Sequence, residues 1–123
     1  MAGHVVPAEV RSTARLGYLM HQAGFLGGTN TGWARGRQLA TRPTVNTQTL
    51  RIMRAWFARH GPRARGGGTS YPGYLKWMRD GSPVDPDGIS RKYRGAVSWL
   101  LWGGDPAMAW VDRELRMRLE GAR

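Results

Sequence analysis

The 123-residue chain contains no cysteine, which excludes disulfide staples and thiolate metal sites. Small secreted domains commonly depend on disulfides, so the absence points to a cell interior or a closed particle. No apolar run approaches the ~20 residues that cross a bilayer. The first residues lack the charged and apolar regions of a signal peptide. Acids are scarce in one part only: residues 1–79 hold 12 Lys and Arg against the single acid Glu9, and residues 80–123 hold 7 of each sign. The whole net charge of +11 therefore belongs to the first part. Lysine is nearly missing as well. Only Lys76 and Lys92 are lysines, and the other 17 basic residues are arginines, whose planar forks suit phosphate and carboxylate.

Catalytic equipment is thin. His4, His21 and His60 are scattered and share no metal-ligand spacing. No nucleophile sits in an elbow context. The acids of Asp85-Pro86-Asp87-Gly88 lack the rest of a calcium-loop ligand set and read as a turn. The expectation is a binding protein, not an enzyme, with no cofactor, no small-molecule substrate and no membrane. A small nuclease using His60 and one carboxylate is the remaining enzymatic alternative.

What is present is a core. Six tryptophans in so short a chain supply apolar area that a disordered basic tail would not carry. The fold class expected is all-α: one domain, 1–123, of five or six short helices around a Trp-rich core of Trp56, Phe57, Trp99, Leu100, Trp102 and Trp110. Pro7 suits the first position of a helix over 7–24. Asn30 or Thr31 can cap a second helix that ends before Pro43. Asn46 and Thr47 offer caps for the clearest helix, 47–60, on which Leu50, Met53, Trp56, Phe57 and His60 form one stripe. Residues 61–73 and 80–89 read as loops. Ser90 is placed to cap a further helix. Gly103 can end it in a left-handed conformation, and Asp105-Pro106 signals the start of the last, which carries Met108, Val111, Leu115 and Leu119. No segment alternates strictly, so strands are not expected. On this division 1–79 is the basic contact part and 80–123 a neutral helical hairpin.

Arg51, Arg54 and Arg59 fall opposite the apolar stripe of the 47–60 helix. Arg35, Arg37 and Arg42 on the preceding segment extend the basic surface. Arg63 and Arg65 stand in a glycine-rich loop whose backbone can approach a phosphate. The loop lacks the Gly-Lys-Ser/Thr ending of a nucleotide-binding P-loop. The order of a short helix, a break and a longer helix suggests helix-turn-helix, but the break at 41–46 is looser than that motif requires.

Three blocks carry a family resemblance. They are Thr31-Gly32-Trp33-Ala34-Arg35-Gly36-Arg37-Gln38-Leu39-Ala40, then Met53-Arg54-Ala55-Trp56-Phe57-Ala58-Arg59-His60, then Val97-Ser98-Trp99-Leu100-Leu101-Trp102-Gly103-Gly104-Asp105. In this order the chain resembles short proteins and domains of tailed bacteriophages, including cyanophages, some encoded beside or fused to head-maturation proteins. The chain departs from the pattern at Gly36, where an alanine is usual, and after His60, where Gly61-Pro62-Arg63 replaces acidic and lysine-rich residues. The resemblance implies a virion role, assembled in the host cytoplasm, and brings no catalytic residues. The expected partner is phage DNA or an acidic phage head protein, bound in multiple copies within a particle. A free DNA-binding accessory protein of the infected cell is the alternative.

Overall fold

A computed structural model describes residues 3–121 of the chain. Among them are six α-helices: α1 (Ala8–Ala23), α2 (Asn30–Thr41), α3 (Thr47–His60), α4 (Ser70–Arg79), α5 (Arg94–Leu101) and α6 (Gly104–Gly121). The all-α reading holds, with one small correction. Two strands of two residues, β1 (His4–Val5) and β2 (Thr44–Val45), pair antiparallel with His4 opposite Val45. Segments this short cannot show alternation, so no period betrays them.

The helix boundaries follow local chemistry. In α3 the Asn46 side chain accepts the Thr49 N–H at 2.8 Å, and Leu50, Met53, Trp56 and Phe57 are buried, as the stripe predicts. Thr29, not Asn30 or Thr31, caps α2, because its extended backbone aims Oγ1 at the Gly32 N–H. Pro43 forces Arg42 into extended geometry and ends that helix. Pro7 lies one position before α1, and its carbonyl accepts the first helical bond from Arg11. The loop expected over 61–73 is shorter than composition suggests. A 3-10 turn at Arg65–Gly67 leads into α4 at Ser70, where Pro72 falls in the first turn and its missing N–H costs nothing. Ser90 does not cap α5. Its backbone pairs with the strand-like Phe25 segment, through Leu26 N–H to Ser90 O and Ser90 N–H to Gly24 O, so the helix starts four residues later. Gly103 has the expected positive φ of 97°. α6 starts at Gly104, two residues before Pro106, which leaves the Asp105 carboxylate to accept the Trp99 indole N–H at 3.1 Å.

α5 is the axle of the fold. Ala96, Val97, Trp99, Leu100 and Leu101 are all buried, and α1, α2 and α4 pack against it. The approach is close because glycines face it. An added Cβ at Gly17 of α1 would stand 2.6 Å from the Leu101 backbone nitrogen. Gly73 of α4 lies against Gly95 of α5 at similarly short range. Gly36 of α2 faces Leu101, which gives a packing reason for a glycine at this position. α6 packs chiefly on α3 and α1 and little on α5, so 80–123 is continuous in sequence without closing on itself as a hairpin.

The six expected core residues are all buried. Trp56 stacks on Trp102 at 4.9 Å, and Phe57 meets Trp99 edge-on at 5.3 Å, tying α3 to α5. Val111 and Leu115 of the last stripe are buried and Met108 partly so, while the side chain of Leu119 lies outside those described.

Candidate nucleic-acid interface

The exposed arc of α3 carries Arg51, Arg54, Ala55, Ala58 and Arg59, opposite the buried stripe. Arg51, Arg54, Ala55 and Ala58 line a shallow depression. Beside it, where α3 meets α6, Arg54 and Arg63 share a cleft with Asp112, and the cleft continues to Arg116. Arg63 Nη1 lies 3.8 Å from Asp112 Oδ2. Three arginines, Arg54, Arg63 and Arg116, therefore stand around one carboxylate, with Arg51 in the adjoining depression. Arg116 and Asp112 escape sequence reasoning because they belong to the neutral part. Their i, i+4 spacing puts them on one face of α6, but which face meets α3 is a tertiary fact.

The arginines of α2 lie elsewhere. Arg42 and Arg35 line a separate groove with Asn30, Thr31, Ala34 and Gln38. The hollows lined by Arg51, Arg54, Arg63 and Arg116 share no residue with this groove. Arg37, Arg59 and Arg65 are exposed and line none of these hollows. α2 packs on α1 and α5 while α3 packs on α6, so the two do not form a helix-turn-helix unit.

Arg35 differs from the other arginines of the basic part. It is half-buried, with its guanidinium 5.4 Å from the Trp102 ring centroid and a hydrogen bond to Gln38 Oε1. Its Nε is buried without a partner. Burial lowers its pKa from the ordinary arginine value. This is a packing arginine whose stem and plane cover an aromatic face. Arg11 is structural too: its two terminal nitrogens donate to Ala40 O and Arg42 O at 3.0 Å each, satisfying carbonyls at the end of α2.

Among the described residues the acid–base contacts within 4 Å are Arg63 with Asp112 and His4 with Glu114. The arginines of α3 and of the loop after it are thus exposed, and among the described residues Asp112 is the one carboxylate within 4 Å of any of them. Each histidine is held in a different place. His4 bonds Thr47 Oγ1 at 2.9 Å, His21 stacks on Trp33 at 4.3 Å, and His60 lies against Trp56 with its Nδ1 3.3 Å from Thr69 Oγ1. No three His, Asp or Glu side chains come close enough to hold a metal ion among the described residues.

His60 is the last residue of α3. Burial, and secondarily Arg59, lowers its pKa below the ordinary 6.5. The unfolded chain then binds more protons than the folded one in the window just below pH 6.5, so stability falls as pH drops through the folded pKa. Thermal melts from pH 8 to pH 5 should show wild type losing more Tm on acidification than His60→Gln. Parallel curves would remove His60 as a source of acid sensitivity.

No protein-family profile, curated protein or solved structure matches the chain.

Proposed function

We propose that the protein is a non-enzymatic component of a bacteriophage head that holds packaged DNA by its phosphates through the α3–α6 face. One observation carries the DNA reading: Arg51, Arg54, Arg63 and Arg116 line adjoining hollows on the α3–α6 face, and among the described residues Asp112 is the one carboxylate lining them. Such a surface attracts a polyanion by counterion release and reads no base sequence. Arginine also suits the task because its fork grips a phosphate with two parallel bonds. The phage setting rests on the three sequence blocks.

The test is binding to duplex DNA over a salt series. Four neutralised phosphates predict a log–log slope of about −3 to −4. A slope near zero would sink the phosphate reading. The same DNA should survive incubation with magnesium or manganese, and cleavage would restore the nuclease alternative. Mass spectrometry of purified particles should find the protein at stoichiometric copy number. Its absence there, with DNA binding intact, would favour a free accessory protein of the infected cell.

A further inference from the structure

We propose that the α3–α6 cleft holds one unpaired nucleotide, with the base in an apolar compartment and the phosphate in a polar one. The proposal rests on the reading of this face as a DNA-phosphate surface and names what the cleft within it selects.

The cleft has two adjoining parts whose common wall is Arg54, Arg63 and Asp112. One part, about 220 Å³, is floored by Phe57, Ala58 and Met108. The other, about 370 Å³, adds Arg116. The first falls below the ~300–1,000 Å³ of drug-sized ligand sites, so it suits a single ring. A smooth duplex presents phosphates but keeps its bases stacked inside, and would leave that floor empty. An unpaired nucleotide offers both a flat apolar ring and an anionic group a short distance away.

Asp112 supports the assignment. A site for phosphates alone gains nothing from a carboxylate among its arginines. At 3.8 Å its contact with Arg63 is longer than a hydrogen bond, and its side chain is 37% exposed. Its oxygens are therefore available to accept from a base N–H or a sugar O–H at the junction of the two compartments. The same carboxylate disfavours an acidic peptide, which has only acceptors to offer there.

Fluorescence anisotropy at fixed salt, with two labelled DNA hairpins of equal phosphate number, tests this. One hairpin ends blunt and the other carries a short single-stranded tail. The tailed hairpin should bind about tenfold more tightly, as one held base would allow. Ala58 is exposed and uncharged, so Ala58→Phe fills the apolar compartment without touching the core or the charge. That variant should lose the preference, and its salt slope on the blunt hairpin should stay unchanged because no charge is removed. Asp112→Asn should lose it too, with blunt-hairpin binding equal or stronger. Equal affinity of wild type for the two hairpins overturns the proposal, as does a preference that survives in Ala58→Phe. Competition by poly-glutamate as effective as by the tailed hairpin overturns it in favour of an acidic protein. If wild type binds blunt DNA with the expected slope and shows no preference, only the nucleotide site falls. If it binds neither hairpin, the phosphate reading falls with it.

Discussion

Gly17→Ala is expected to cost ~3 kcal/mol of stability, near the upper end for overpacking, and to lower Tm by about 10 °C. The direction is opposite to the rule for exposed helices, where alanine gains ~1 kcal/mol over glycine. Gly17 lies in the middle of α1 with its face against α5. A Cβ there would stand 2.6 Å from the Leu101 nitrogen, 2.8 Å from the Leu100 carbonyl carbon and 2.9 Å from Leu100 Cβ. Two of the three obstacles are backbone, so no rotamer change relieves them. α1 must move outward, and Val10, Ala14 and Met20 then lose contact with the core. Gly36→Ala gives an internal control. Its Cβ would come within 2.5 Å of Leu101 Cδ2, a side-chain tip, with the backbone no nearer than 3.3 Å. Leu101→Val should therefore recover part of the Gly36→Ala loss and none of the Gly17→Ala loss. Urea or thermal unfolding of the single and double variants measures this. A stable Gly17→Ala would show that α1 and α5 do not meet along this line.

The same contact marks where sequence reasoning stops. α3 is legible because, after the Asn46 cap, Leu50, Met53, Trp56 and Phe57 keep a helical period over about three turns. The tryptophan core is legible because so much aromatic area in so short a chain must be buried. The meaning of Gly17 and Gly36 is not, since an isolated helix suffers from glycine and only the neighbour explains it. Tyr74 to Arg79 reads as one or two turns, and only the start of α4 is masked by Pro72 and the glycines before it, although a proline in the first turn is harmless. β1 and β2 depend on Val6 N–H reaching Pro43 O across the chain, which no local pattern encodes. The site divides in the same way. Charge asymmetry exposes Arg51, Arg54 and Arg63 as candidates. It hides Arg116, which sits in a segment of zero net charge, and includes Arg35, whose guanidinium is occupied by Trp102 and Gln38.

Replacing Arg51, Arg54, Arg63 and Arg116 together by glutamine is expected to weaken duplex DNA binding by ~10²–10³-fold at ~0.1 M salt and to flatten the salt slope by about 3 to 4. All four side chains are exposed, and none lies in the core. The Arg63–Asp112 pair is itself largely solvated, with Arg63 84% exposed, so losing it should hardly affect stability. Tm should stay within about 3 °C of wild type. Unfolding of this variant would mean that the arginines hold the fold and are not a contact surface. Overall charge is the competing explanation, since any protein of this basicity binds DNA weakly. The double variants Arg51→Gln/Arg54→Gln and Arg37→Gln/Arg42→Gln separate the two, because each removes the same charge from a different place. Placement on the α3–α6 face predicts that the first lowers the slope by about 2 and the second leaves it nearly unchanged. Equal losses would mean that DNA senses only net charge. The α2 groove, with Arg35 committed to Trp102, would then be as good a contact as the cleft beneath Arg54.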